Sequence, residues 1–267
     1  MATEYENILS QRTKKLNAKA QELIAIKTLV DLLLDIDIEI KYFENFFVSF
    51  TIEQIGKEFD LIKLDKDKLV LNIELKSEDV GVDVIQNQLE KNRYYLKHLA
   101  PDVRLYTFVE STKELYKYTS KGVKIVELED LKDTMELLQK SLGENIESLF
   151  QANNYLISPL NTPSKFMTGD YFLTNQQHDI KKKIVDLILL DDKEHILGIT
   201  GKAGTGKTLL LYDIIKTVAE QGLKCCLIHS GILCNGHKTL NTQWENVNIF
   251  SAKELNGDGA ERLKKYQ

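Results

Sequence analysis

The chain has 267 residues, of which 43% are hydrophobic and 28% charged, with a formal net charge of −5. That length admits one large domain or two ordinary ones, and the composition supplies enough apolar material for a globular core. The negative balance excludes bulk attraction for nucleic acid, so any such contact must come from local basic patches.

The cysteines, Cys225, Cys226 and Cys234, are late, clustered and odd in number. They exclude a disulfide framework and suit a reducing cytoplasm. With His237 they could be counted as a zinc set, but adjacent Cys225 and Cys226 in a strand point to opposite faces. No run approaches the ~18 apolar residues of a membrane span, and the N-terminus lacks a signal-type apolar segment. Neither secretion nor a membrane partner is expected.

Residues 1–20 are polar and helix-favouring. From Gln21 onward Leu23, Ile26, Leu29, Val30 and Leu33 recur at helical spacing, which predicts an amphipathic helix ending near Asp35. Three strand-like segments follow: residues 38–50 with a turn near Glu44 and Asn45, then 57–64 and 68–76, separated by the turn-like 65–67. A helix is expected over 82–99, with Ile85, Leu89, Asn92, Leu96 and Leu99 on one face and Pro101 closing it. Residues 103–109 form the next strand, and 123–128 and 131–142 add a strand and a helix.

Between 143 and 171 the pattern breaks, and Pro159 and Pro163 fall there among Asn, Ser and Thr. The chain therefore divides into a first domain over 1–142, a linker over 143–171 and a second domain over 172–267. The second domain opens with a helix over 175–190, then a strand over 196–200 and a helix over 209–218 closed by Gly222. Strands over 224–229 and 247–250 come next, and Ser251 and Glu254 have capping-box spacing for a last helix. Strands alternating with helices make the fold class α/β.

Gly201, Lys202, Ala203, Gly204, Thr205, Gly206, Lys207 and Thr208 fit GxxxxGK[ST], the phosphate-binding loop. Its glycines let consecutive N–H groups turn toward phosphates. Lys207 reaches the β- and γ-phosphates, and the Thr208 hydroxyl can hold Mg²⁺. An apolar strand before and a helix after supply the context the motif needs.

A second constellation lies in the first domain. Along 68–76, Leu71, Ile73 and Leu75 face one way while Asn72, Glu74 and Lys76 face the other. On the preceding strand Glu58 and Asp60 alternate with Phe59 and Leu61. Paired as a hairpin, the two strands can bring Asp60, Glu74 and Lys76 to one surface. Two carboxylates make a hard-oxygen site for Mg²⁺ or Mn²⁺, and a lysine beside them can position an attacking water and offset phosphodiester charge. The same alternation also describes a hairpin whose polar face is simply solvated.

The pattern Asp60…Glu74-Leu75-Lys76, on the second and third strands of an αβββαβ order, resembles the PD-(D/E)xK, or restriction-endonuclease-like, nuclease superfamily over residues 21–109. The resemblance implies Asp60 and Glu74 as metal ligands with the Leu75 carbonyl, and Lys76 as the catalytic lysine. Many members carry a Gln and a Tyr on the following helix. Here Gln88, Asn92 and Tyr95 share one helix edge; the spacing departs from QxxxY, leaving Tyr94 or Tyr95 in the tyrosine role. Phe59 stands where many members have Pro, and Glu22 could be their first-helix acid.

Leu173-Thr-Asn-Gln-Gln177 is similar to the Q-motif of superfamily-one helicases, in which the glutamine at the position of Gln177 contacts adenine. The same residues also read as a helix start capped by Thr174 or Asn175. This half resembles the start of a RecA-like motor, and more narrowly the Schlafen-group-3-like DNA/RNA helicase domain. A motor also needs an apolar strand ending in an acid. After Thr208 the only such strand, 247–250, ends in Ser251, so the expectation is a partial motor domain and a fragment of a longer protein.

Together the resemblances imply a Mg²⁺-dependent, ATP-binding nuclease acting on nucleic acid, with DNA expected, in bacterial or phage defence. The alternative is a nucleotide-sensing binding module with an inactive nuclease fold. A small P-loop kinase fits less well, because no acceptor site is recognisable.

Overall fold

The computed structural model describes residues 20–52, 55–65, 68–138, 146–150, 155–191, 193–255 and 263. These fall into two compact units, one with the elements up to Leu149 and one beginning at Phe150. Mixed α/β structure characterises both. Among the described residues no helix is long and apolar enough to cross a membrane.

Helix α1 (Ala20–Asp35) opens the first unit, and its buried Ala25, Leu29 and Leu33 repeat every four residues along one face. Past a 3-10 turn (Ile40–Phe43), Asn45 adopts a φ of 63° and turns the chain into β1 (Phe47–Ile52). Strands β2 (Lys57–Asp65) and β3 (Leu69–Lys76) follow, then α2 (Val82–Leu96) and β4 (Asp102–Val109). Two further strands, β5 (Glu114–Thr119) and β6 (Gly122–Val126), lead to α3 (Leu128–Leu137) and a short α4 (Ile146–Leu149).

The six strands form one sheet in sequence order. Only β3 and β4 run parallel, because α2 carries the chain across between them; the other neighbours are antiparallel. Strand β3 is central and buried on both faces. Its Leu71, Ile73 and Leu75 pack with Ala25, Leu29 and Leu33 of α1 and with Leu131 and Met135 of α3. Its Asn72 and Glu74 face α2 and hydrogen-bond to it.

The expected helix–strand order through residue 109 is present, but the first strand, expected over 38–50, is confined to β1 at Phe47–Ile52, because Ile40–Phe43 form the 3-10 turn. Strand β5 was not anticipated. Its segment, ELYKYT, is half polar, but pairing Phe108 with Leu115 and Thr107 with Tyr116 buries its Leu115 and Tyr116.

In the second unit α5 (Pro163–Thr168), α6 (Asn175–Leu190) and α7 (Lys207–Glu220) precede β7 (Cys225–His229), α8 (Asn235–Gln243) and β8 (Val247–Ser251). Strands β7 and β8 pair in parallel.

Two expectations are corrected here. Part of the segment assigned to a linker belongs to the core: Phe166 is fully buried, stacked 5.3 Å from Tyr171 and set edge-on 5.5 Å from Trp244. Of the two prolines that suggested a break, Pro163 instead starts α5, where a missing N–H costs nothing, and Pro159 lies in a turn before it. The strand expected over 196–200 is not formed. Both described strands of this sheet pair only with each other, and Ile196 and Leu197 are exposed. An apolar run becomes a strand only where a neighbouring strand takes up its backbone groups.

Trp244 is the only tryptophan, so its fluorescence reports the second unit alone. Phe166→Ala is expected to lower that unit's stability by about 3–5 kcal/mol, measured by urea unfolding followed at Trp244; a change below ~0.5 kcal/mol would return residues 163–171 to a linker.

Candidate active site

Strands β2 and β3 do not stay paired along their whole lengths. Their ladder ends at Leu61 opposite Ile73, although β2 begins four residues earlier and β3 runs on to Lys76. The strands part into a fork, and Asp60 and Glu74 sit at its root. Asp60 bridges the gap by accepting the Leu75 N–H on Oδ2 at 2.8 Å. In an extended strand a residue's N–H and C=O point to the same side, so the Leu75 carbonyl faces the gap as well. The fork opens into a cavity of about 310 Å³. Asp60, Glu74, Leu75, Lys76 and Gln88 all line it, joined by Glu58 from β2, Ser77 and, from α1, Gln21, Glu22 and Ala25.

Glu74 is the buried member, 1% exposed in the central strand. Such a side chain needs hydrogen-bond donors on the α2 side of the sheet. Its Oε1 accepts from Asn92 Nδ2 at 2.7 Å and from Asn72 Nδ2 at 3.2 Å. Its Oε2 accepts from Gln88 Nε2. Helix geometry explains the placement: Gln88 and Asn92 lie one turn apart on the face of α2 that also buries Ile85 and Leu89.

Asp60 behaves differently. Burial pushes its carboxyl up to about 7, and the nearby negative charge of Glu74 adds to the rise; the Leu75 N–H and Lys76 act in the other direction. Lys57, buried with its amine 4.7 Å over the Phe59 ring, is held below the usual lysine range by burial, against the pull of Glu74 and Asp60.

Of the first-domain residues singled out from sequence, Glu22, Glu58, Asp60, Glu74, Leu75, Lys76 and Gln88 meet at one cavity. Tyr94 and Tyr95 do not line it: Tyr95 is fully buried, with Tyr94 packed edge-on against it at 5.0 Å. The position one turn after Gln88 belongs to Asn92, and that asparagine reaches Glu74. Asn72 was visible only as a residue on the Glu74 face. Its two-residue spacing from Glu74 was the available signal.

Among the described residues no group of three or more His, Cys, Asp and Glu side chains is arranged to enclose a metal. The fork instead offers two carboxylates and a main-chain carbonyl. That set fits a hard divalent cation of the Mg²⁺ type, which keeps several waters and takes few protein ligands. Cys234 and His237 approach to 3.1 Å at the start of α8, where both act in the helix cap.

In the second unit the phosphate-binding motif forms a turn ahead of α7. Gly204 and Gly206 adopt φ values of 78° and 75°, which glycine adopts without strain. A Cβ on Gly206 would stand 2.4 Å from Gln177 Nε2, so the end of that side chain would have to move aside. Lys207 folds back over the loop, donating to the carbonyls of Gly201 at 2.9 Å and Lys202 at 2.7 Å. Thr205 donates to the Lys202 carbonyl at 2.9 Å. Thr208 is exposed in the first turn of α7, next to Lys207.

Gln177 completes a capping box with Thr174 at the start of α6, and its Nε2 donates to the Thr205 carbonyl at 2.9 Å. Helices α6 and α7 are tied by an ion pair of 2.6 Å between Lys181 and Asp213. Strand β8 ends at Ser251, whose N–H is capped by Glu254 at 2.9 Å, and a 3-10 turn (Ala252–Leu255) follows.

No protein-family model matches the chain, and no solved structure matches it significantly.

The raised Asp60 carboxyl carries a sign. Below pH ~4 the group is protonated whether folded or unfolded; between there and about 7 only the unfolded chain ionises. The folded state then binds more protons, and its stability falls as pH rises through this window. Asp60→Asn, which can still accept the Leu75 N–H, is expected to stabilise the chain by on the order of 2–4 kcal/mol at pH 8 and negligibly at pH 4. Urea unfolding followed by circular dichroism in a chelating buffer measures both; equal effects at the two pH values contradict the assignment.

Proposed function

We propose that the first unit is a metal-dependent phosphodiesterase that cleaves nucleic acid, DNA in the first instance, and that the second unit binds ATP through residues 201–208. The observation that carries this reading is the convergence of Asp60, Glu74 and Lys76 on one cavity at the β2–β3 fork. The order of elements up to β4 supports a restriction-endonuclease-like core, and the turn at Gly201–Thr208 ahead of α7 supports a phosphate-binding loop, without the strand expected before it.

A divalent cation held by Asp60, Glu74 and the Leu75 carbonyl would polarise a phosphate oxygen and a water. The remaining work falls to the chain. Lys76 orients the attacking water and offsets the charge that builds on the phosphate oxygens as the leaving oxygen departs. Gln88, on the cavity wall, holds Glu74 in place by donating to its Oε2. In the second unit Lys207 exchanges its loop carbonyls for the β- and γ-phosphates of the nucleotide. The reading places the protein in the cytoplasm, where the thiols of Cys225, Cys226 and Cys234 stay reduced, and in defence against foreign DNA.

Lys76→Ala is expected to lower Mg²⁺-dependent cleavage of plasmid or linear DNA by about 10²–10³-fold while leaving the fold intact. Undiminished cleavage by this variant removes the assignment. Lys207→Ala is expected to abolish ATP binding in a fluorescent-nucleotide titration; retained affinity would show that residues 201–208 are not the nucleotide site.

A further inference from the structure

The hydrogen bonds beneath the cavity can be counted to their limit. A carboxylate has two lone-pair directions on each oxygen, and a primary amide has two N–H groups. Asn92 spends one N–H on Glu74 Oε1 and the other on Asn72 Oδ1, each at 2.7 Å. Asn72 spends one on the same Oε1 and the other on the Leu61 carbonyl at 3.1 Å. Asn92 Oδ1 accepts from nothing among the described residues, so the donated bonds of this side chain hold it in place. Oε1 is thereby saturated from below. Oε2 accepts one bond, from Gln88, and Gln88 lines the cavity. One lone pair of the carboxylate is left over, and it belongs to Oε2.

We propose that Asn72 and Asn92 are positioning residues that select which Glu74 oxygen meets a bound cation and restrict it to a single, monodentate contact through Oε2. The inference rests on reading the cavity as a metal site. Neither asparagine lines the cavity, and both are fully buried; they act through Glu74. The Leu61 carbonyl belongs to the last paired residue of β2, so Asn72 also ties this carboxylate to the point where the strands separate. Without the asparagines Oε1 regains both lone pairs and Glu74 can rotate or chelate with both oxygens.

The test uses the full chain and Mn²⁺ alone. Asn92→Leu keeps the branching of the side chain and removes both N–H groups. Its Mn²⁺ affinity by titration calorimetry is expected to fall about 10–100-fold, and Asn72→Ser, a milder change should Asn92→Leu not fold, is expected to fall in the same direction. Leu89→Ala lowers packing on the same face of α2 without touching the carboxylate and is expected to bind Mn²⁺ as the parent does. Wild-type affinity in a folded Asn92→Leu or Asn72→Ser protein, or an equal loss in Leu89→Ala, overturns the proposal. Should the parent chain take up no Mn²⁺, the metal reading fails by itself. Crystal structures of the two asparagine variants then decide the positioning: a Glu74 carboxylate that has turned supports it, and one that has not turned refutes it.

Discussion

A carboxylate in the middle of a buried strand governs the first unit. Glu74 stands where β3 is covered on both faces, and most residues in such a place are apolar. Burying it among apolar groups alone would cost several kcal/mol. The α2 face of the unit is accordingly polar at this point: Asn72 beside Glu74 on the strand, Gln88 and Asn92 opposite on the helix. The parallel β3–α2–β4 crossover is what lays that helix over that strand. The fork follows from the same region, since Asn72 takes up the Leu61 carbonyl where the β2–β3 ladder stops.

Asp60 and Glu74, on neighbouring strands of one fork, are held by different partners. Glu74 has three amide donors from side chains, whereas Asp60 has one backbone N–H and lies against the charge of Glu74.

Much of this arrangement was legible in the chain itself. Period-two alternation over 57–64 and 68–76 separates Asp60, Glu74 and Lys76 from their apolar neighbours, and the four-residue spacing of Gln88 and Asn92 places them on one helix edge. Alternation could not show that the polar face of β3 is covered, because that depends on where α2 lands. Nor could it decide between a tyrosine and Asn92 as the partner of Glu74. Strand β5 escaped notice because its burial comes from pairing with β4, a long-range event with little local trace. The error at 196–200 runs the opposite way: local composition suited a strand, and the partner it needed is absent among the described residues. At 163–171 proline marked a helix start rather than a break, and only the packing of Phe166 reveals which.

The cavity owes nothing to long loops. Its walls are α1, β2, β3 and α2, the same elements that enclose the core, and its principal carboxylate is fastened to two of them. The conformational entropy of ordering the site is therefore spent when the chain folds, not when a ligand arrives. Such a site has no separate thermal life. Warming cannot first loosen the pocket and later the protein, so the capacity to bind and the packing of the unit disappear in one cooperative step.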